Sequence, residues 1–181
     1  MSSITTVFVD RDGVINRKMP EGEYVNTADD FELLPGAVDA LVDLTRAGMK
    51  VIVVTNQQGV AKGVTDPEVV ERIHSGLRTT VESAGGKIDQ ILVCPHLAGS
   101  CQCRKPAVGL FEQALESDPQ IEYKHSAVVG DSSSDIEAAN RIGALAILVT
   151  DRRGVTGRDP NTATVTGLTE AVALLTGISR G

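Results

Sequence analysis

The sequence has no tryptophan and few other aromatic residues, with two tyrosines and three phenylalanines. It also lacks a basic tract, and its formal net charge is −7. Proteins that bind nucleic acids through phosphates need clustered Lys and Arg, and those that bind single strands add aromatic side chains. The composition therefore predicts no nucleic-acid partner, although a local cluster of Lys and Arg can still bind a small anion.

Long apolar runs are also absent, because no stretch approaches the roughly 20 residues of a membrane span. The N-terminal residues lack the basic and long apolar regions of a secretory signal. We therefore expect a soluble, cytoplasmic protein with no membrane partner. The 181 residues are 41% hydrophobic and contain no internal repeat or linker, which predicts a single domain over residues 1–181.

Cysteine is scarce, and all three cysteines lie in one short segment with a histidine: Cys94, His96, Cys101 and Cys103. An odd number of cysteines in a cytosolic chain disfavours disulfides, although a disulfide and inert buried thiols remain alternatives. Three thiolates and one imidazole suit tetrahedral Zn²⁺ and leave no open position for a substrate. We therefore predict a structural zinc site that stiffens the loop and holds the next residues, Arg104 and Lys105, in place.

Short apolar runs alternate with helical patterns, which is typical of a parallel sheet covered by helices. The runs are residues 7–9, 51–54, 91–93, 128–129 and 146–149, with a further strand suggested at 163–165. Helices are predicted from Ala37 until just before Gly48, from Pro67 to Gly85, and across 110–115, 135–142 and 169–175. The predicted fold class is α/β, with a doubly wound, Rossmann-like parallel sheet and helices on both faces.

Polar residues follow the predicted strands at the point where each strand ends. They are Asp10 and Asp12, then Thr55, Asn56 and Gln57, then Cys94 and His96, and finally Asp131. A carboxylate pair can simply cap a turn, but parallel strands deliver all their carboxyl ends to one edge of the sheet. We therefore predict that these side chains form an active site at that edge.

Phosphoryl chemistry explains the residue types at this edge. A phosphate ester repels anionic nucleophiles, so its site needs a divalent cation and fixed donors. Carboxylates such as Asp10, Asp12 and Asp131 supply the hard oxygens that Mg²⁺ prefers. Thr55 would supply a hydroxyl donor, and the pair Arg104 and Lys105 would supply positive charge. Residues 151–154 are predicted to form a solvated turn or an anion contact.

Four segments resemble, in order, the motifs of the haloacid-dehalogenase-type (HAD) phosphatases: Asp10-Arg11-Asp12-Gly13, Thr55-Asn56-Gln57, Arg104-Lys105-Pro106, and Gly130-Asp131 with Asp135. The resemblance implies that Asp10 is the nucleophile that becomes an aspartyl phosphate and that Asp12 is the acid and base. It implies that Asp10, the backbone carbonyl of Asp12 and Asp131 bind Mg²⁺, and that Thr55 and Lys105 stabilise the phosphoryl group. It also implies a monomer without a large cap domain.

The cysteine-rich loop narrows the resemblance to two branches of this family, the heptose bisphosphate phosphatases and the histidinol-phosphate phosphatases. Residues 22–25, 31–36 and 55–63 look like the substrate loops of the heptose branch, which acts on a small phosphorylated sugar in activated-heptose biosynthesis. The short gap between His96 and Cys101 resembles the histidinol-phosphate branch. For the heptose branch the implied substrate-binding residues are Glu21, Gly22, Glu23, Tyr24, Asn56, Gln57, Gln58, Lys62 and Arg104.

Two readings from other classes remain open. A receiver-type phosphoacceptor module also places aspartates, a threonine and a lysine at strand ends. The spacing of Asp10 and Asp12 and the zinc-type loop argue against it. A zinc-stabilised binding module without activity leaves the separate carboxylates unexplained.

Overall fold

The computed structural model describes residues 3–151 and 162–177. Its centre is a six-stranded parallel sheet in the order β3-β2-β1-β4-β5-β6. The strands are β1 (Thr6–Val9), β2 (Lys50–Asn56), β3 (Gln90–Cys94), β4 (Ser126–Gly130), β5 (Leu145–Val149) and β6 (Thr162–Val165). All the predicted strands are present, and the predicted α/β class is confirmed.

Five helices connect or follow the described strands: α1 (Ala37–Arg46), α2 (Pro67–Ser83), α3 (Gly109–Ser117), α4 (Ser133–Ile142) and α5 (Leu168–Thr176). Helix α2 begins as predicted, because the Asp66 side chain accepts a hydrogen bond from the Glu68 backbone N–H at 2.8 Å. Helix α4 begins earlier than predicted, because the Asp135 side chain accepts from the Ser132 backbone N–H and caps the first turn.

The helices cover both faces of the sheet. Successive residues of a strand point to opposite faces, so Val7 and Val9 of β1 pack with α1, α2 and α5, whereas Phe8 packs with α3 and α4. The Phe8 and Phe111 rings meet edge to face with centroids 4.9 Å apart. The sheet is therefore buried between two layers of helices, as the doubly wound class requires.

Strand β1 lies in the middle of the sheet, between β2 and β4. Residues 10–36 connect the carboxyl end of β1 to α1. No helix in the two described ranges is long and apolar enough to cross a membrane. Of the predicted turn, Arg152, Arg153 and Gly154 lie outside the described residues.

Candidate active site

A cavity of about 310 Å³ opens where the central strands end. Asp10 follows β1 directly, Asn56 ends β2, and Asp131 follows β4, and all three line this cavity. Of the other residues singled out from the sequence, it is lined by Asp12, Glu21, Gly22, Glu23, Tyr24, Gln57, Gln58, Arg104 and Lys105. Thr55 and Lys62 do not line it. Thr55 contacts Gln57 and Lys62 contacts Tyr24, and both of these partners line the cavity. The strand ends therefore meet at one site.

Asp10 and Lys105 form a buried ion pair in the lining of this cavity. Lys105 Nζ donates to Asp10 Oδ1 at 2.8 Å and to the Val54 carbonyl at 2.7 Å, and it lies 2.6 Å from Asp135 Oδ1. Burial raises the pKa of Asp10 to about 7, the Lys105 ammonium offsets part of that rise, and Asp135 adds to it. One ammonium therefore does not balance the carboxylates, and a second cation fits the site.

Asp10, Asp131 and Asp135 can each offer a carboxylate oxygen, and these oxygens lie within 4.8 Å of one another. Asp131 Oδ1 is buried and has no hydrogen-bond partner among the described residues, while Oδ2 accepts from Lys18 Nζ at 2.6 Å. Gly13, at φ 88°, leaves room for Asp131, since a Cβ there would overlap the carboxylate. A buried oxygen without a partner in a cluster of hard donors fits Mg²⁺.

The Asp12 carboxylate faces a different set of groups. It accepts from Arg11 Nη2 at 2.9 and 3.1 Å, from Asn16 Nδ2 at 2.9 Å and from Gln57 Nε2 at 2.7 Å. Burial pushes the pKa of Asp12 upward, but the charge of Arg11 and these hydrogen bonds outweigh burial and lower it. Asp12 therefore lies beside Asp10 as a fixed carboxylate with its own donors, which suits proton transfer.

The three residues that end β2 and follow it hold other parts of the site. Thr55 is fully buried, and its hydroxyl accepts from Gln57 Nε2 at 2.8 Å, which leaves the hydroxyl proton for another acceptor. The Asn56 amide pairs with the backbone of Lys105, because Nδ2 donates to the Lys105 carbonyl and Oδ1 accepts from its N–H, both at 3.1 Å. Asn56 thus positions Lys105 although it also lines the cavity.

The rim of the cavity carries cations and a phenol. The Tyr24 hydroxyl contacts Lys62 Nζ at 2.8 Å and Gln58 Nε2 at 3.3 Å, and the hydrogen bond from Lys62 lowers the pKa of Tyr24. Arg104 lines the cavity, and its Nη1 is buried without a partner among the described residues. These donors suit an anionic or hydroxylated ligand.

The cysteine-rich loop brings its four predicted ligands together. The Sγ atoms of Cys94 and Cys101 are 3.6 Å apart, those of Cys101 and Cys103 are 3.4 Å apart, and His96 Nδ1 lies 3.7 and 3.2 Å from Cys94 and Cys103. Sulfur atoms around a tetrahedral zinc with bonds near 2.3 Å are about 3.8 Å apart. All three thiols are free, so the segment forms no disulfide and its spacing fits Zn²⁺.

The thiol pKa values also favour a cation at this loop. Burial and the neighbouring thiols raise the pKa of Cys103 to about 12. The pKa of Cys101 falls to about 6, because hydrogen bonds from Arg104 and Cys103 outweigh its burial. Three adjacent thiolates therefore need a bound cation to coexist.

Several residues of the site received no role from the sequence. Asp135 was noted only as part of a motif, and its position three residues after Ser132 signals the helix cap that places it. Arg11 stands between two acids, which marks it as a counter-charge. Lys18 and His74 reach the site from distant positions, and no local pattern points to either of them.

The comparisons with known proteins agree with this geometry. Residues 102–177 match the family model described as HAD-hydrolase-like. The chain is 45% identical over 141 residues to the D-glycero-alpha-D-manno-heptose-1,7-bisphosphate 7-phosphatase of Mycobacterium bovis, covering 77% of this chain and 74% of the relative. It is 39% identical to the corresponding beta-heptose enzyme of Pseudomonas putida over 149 residues, 82% of this chain and 83% of the relative.

A solved structure is similar over nearly the whole chain. It is the D,D-heptose 1,7-bisphosphate phosphatase of Bordetella bronchiseptica, complexed with magnesium and phosphate. It superposes with a TM-score of 0.85 at 30% identity and covers 95% of this chain and 98% of its own. The heptose branch therefore has more support than the histidinol-phosphate branch.

Proposed function

We propose that this chain, which belongs to the HAD-like family of phosphatases, removes the 7-phosphate of D-glycero-D-manno-heptose 1,7-bisphosphate in nucleotide-activated heptose biosynthesis. The observation that carries the proposal is the pairing of Asp10 with Lys105 beside a separately held Asp12. The names of the relatives from Mycobacterium bovis and Pseudomonas putida support the sugar substrate.

The reaction begins with Asp10 as nucleophile. The negative charge of the bound phosphate favours the protonated form of the neighbouring Asp12, so Asp12 enters this step carrying a proton. A carboxylate oxygen of Asp10 attacks the phosphorus, the bond from phosphorus to the sugar oxygen breaks, and Asp12 donates its proton to that oxygen. Water then attacks the phosphorus of the aspartyl phosphate while Asp12 accepts the water proton. The bond from phosphorus to Asp10 breaks, phosphate leaves, and Asp10 and Asp12 return to their starting states.

Positive charge and hydrogen bonds stabilise the phosphoryl group during its transfer. Lys105 Nζ and the Thr55 hydroxyl donate to its oxygens as charge develops. A Mg²⁺ ion held by Asp10, Asp131 and the backbone carbonyl of Asp12 would neutralise the phosphoryl oxygens. The magnesium and phosphate in the Bordetella bronchiseptica structure support this choice of metal.

The rim would bind the rest of the substrate. Arg104 and Lys62 carry positive charge toward a phosphorylated sugar, and Arg104 has a buried nitrogen without a partner among the described residues. Tyr24, Gln58 and the acidic Glu21 and Glu23 supply hydrogen-bonding groups for sugar hydroxyls. Gly22 gives this segment its turn at φ 87°.

The remaining parts of the proposal concern the whole chain. Cys94, His96, Cys101 and Cys103 bind a structural Zn²⁺ that holds Arg104 and Lys105 in place. The residues 1–181 form a single domain that acts as a cytoplasmic monomer. The site supports a single domain and a monomer, because one sheet edge of one chain supplies all the proposed reacting groups.

Phosphorus NMR of the product tests the proposed function. Purified protein loaded with zinc is mixed with heptose 1,7-bisphosphate and Mg²⁺, in separate samples of each anomer. Loss of the 7-phosphate signal with retention of the 1-phosphate signal is expected. Loss of the 1-phosphate, or no change with either anomer, would contradict the proposal.

A further inference from the structure

Arg11 is buried between the Asp12 carboxylate and a histidine of helix α2. Its side chain is 1% exposed, and Nη2 donates to both Asp12 oxygens. Nη1 lies 3.1 Å from His74 Nε2, and the guanidinium carbon lies 5.6 Å from the Phe31 ring centroid. Arg11 Nε has no partner among the described residues, so the two Nη atoms make the hydrogen bonds that the structure gives this guanidinium.

The contact fixes which nitrogen of His74 carries the proton. A guanidinium only donates hydrogen bonds, so His74 Nε2 accepts and the ring is neutral with its proton on Nδ1. Burial and the charge of Arg11 lower the pKa of His74 to about 4, which keeps the ring in this acceptor form at neutral pH. His74 is 4% exposed and lies on the same face of α2 as Val70 and Leu77.

We infer that His74 is a positioning residue for Asp12, acting through Arg11. This inference rests on the proposed function, in which Asp12 protonates the leaving oxygen. His74 holds one side of the guanidinium while Asp12 holds the other, so the rotation of the guanidinium is fixed. Without this acceptor the buried Nη1 has to find another partner, and any turn of the guanidinium changes the two contacts at Asp12.

The effect should be partial and specific. Asn16 and Gln57 still donate to Asp12 when Arg11 turns, so the carboxylate keeps part of its support. Among the described residues, no hydrogen bond or ion pair joins the side chains of Asp10 and Lys105 to those of Arg11 and His74, so the nucleophile keeps its own partners. Loss of His74 should therefore misplace the Asp12 carboxyl relative to the leaving oxygen, which slows proton transfer more than attack at phosphorus.

The leaving group separates these two steps. A sugar oxygen needs a proton as it leaves, whereas p-nitrophenolate leaves without one at neutral pH. The experiment compares kcat/KM for the heptose bisphosphate and for p-nitrophenyl phosphate in wild type, His74→Phe and His74→Gln. The ring of Phe keeps the shape without an acceptor, and Gln restores an acceptor oxygen.

In His74→Phe we expect kcat/KM for the sugar phosphate to fall by at least about tenfold, with KM nearly unchanged. For the aryl phosphate it should stay within about twofold, and His74→Gln should recover most of the sugar-phosphate activity. Val70→Ala, one turn earlier on α2, is the matched control for a packing defect. This control should change kcat/KM for both substrates by the same factor.

Equal loss on both substrates in His74→Phe, or no recovery in His74→Gln, would overturn the inference. If His74→Phe does not fold, His74→Leu is the second variant without an acceptor, and the same ratio is measured. Failure of the proposed function looks different, because wild type itself would then leave the heptose bisphosphate intact.

Discussion

At the scale of single residues, the site places two buried carboxylates and one partly exposed carboxylate around one buried ammonium. Lys105 contacts both Asp10 and Asp135. The buried Oδ1 atom of Asp131 has no hydrogen-bond partner among the described residues. Asp12 is held apart by its own donors. We expect this separation to give the two acids that follow β1 different tasks, attack for Asp10 and proton transfer for Asp12.

Replacing Asp10 by Asn removes the proposed nucleophile and keeps nearly the same volume. We expect kcat to fall by roughly 10⁴-fold or more, because no phosphoenzyme can form. Circular dichroism should show an unchanged fold. The matched control is Asp29→Asn, an exposed carboxylate of the loop that follows β1, which should retain wild-type turnover. Retained turnover in Asp10→Asn would remove Asp10 as nucleophile.

We expect Lys18 to compete with the proposed Mg²⁺ for Asp131. Its ammonium lies 2.6 Å from Asp131 Oδ2. It therefore repels an arriving divalent cation and neutralises part of the negative charge of the Asp131 carboxylate. Replacement by Met should tighten Mg²⁺ binding several-fold in calorimetry. Lys124→Met, at an exposed ion pair with Glu122, is the control and should leave the affinity unchanged. Weaker binding in Lys18→Met would mean that Lys18 instead orients Asp131 for the metal.

His74 makes the stability of the fold depend on pH. Its pKa is about 4 when folded, below the ordinary value of 6.5, so the unfolded chain binds the proton more readily between these values. The stabilisation is complete above pH 6.5 and is lost as the pH falls toward 4, by up to about 3 kcal/mol. Urea unfolding should show a smaller acid loss in His74→Gln than in wild type. Equal losses would contradict the shift.

At the scale of elements, a short polar loop connects the cluster of three cysteines and His96 to Lys105, the proposed catalytic cation. Cys103 is followed directly by Arg104 and Lys105, and Asn56 of β2 pairs with the Lys105 backbone from the other side. The loop thus holds Lys105 through its chain and β2 holds it through hydrogen bonds.

Removal of zinc should loosen this loop. After chelation verified by metal analysis, we expect a lower melting temperature and reduced turnover, because the cysteine thiolates no longer share a metal ion. Zinc added back should restore both. An unchanged melting temperature after verified removal would argue against a structural metal. Cys101→Ser should reproduce the loss in the presence of zinc.

Element positions could be predicted because the local signals agree with the tertiary structure. Apolar runs of strand length, Pro67 at a helix start and Gly48 after a helix end all act within a few residues. Helix α4 begins two residues before its predicted start at Asp135. The Asp135 side chain caps the first turn of this helix and also contacts Lys105, which is distant in sequence. The contacts from Lys18 to Asp131 and from Arg11 to His74 span 113 and 63 residues, so periodicity carries no information about them.

At the scale of the whole molecule, the strand order creates the site. Because β1 lies between β2 and β4, the residues that follow these strands become neighbours although they are far apart in sequence. The motifs identified the family from the sequence, and the relatives confirm it. The choice of sugar depends on the shape of the rim around Tyr24 and Arg104, where the relatives include enzymes named for both anomers.

The most direct test of the central claim is a comparison of kcat/KM for heptose 1,7-bisphosphate and histidinol phosphate, measured by phosphate release from the zinc-loaded protein with Mg²⁺. Asp10→Asn is measured in parallel as the blank. A preference of at least about a hundredfold for one heptose anomer, abolished in Asp10→Asn, is the predicted result. A preference for histidinol phosphate, or equal rates in Asp10→Asn, would contradict it.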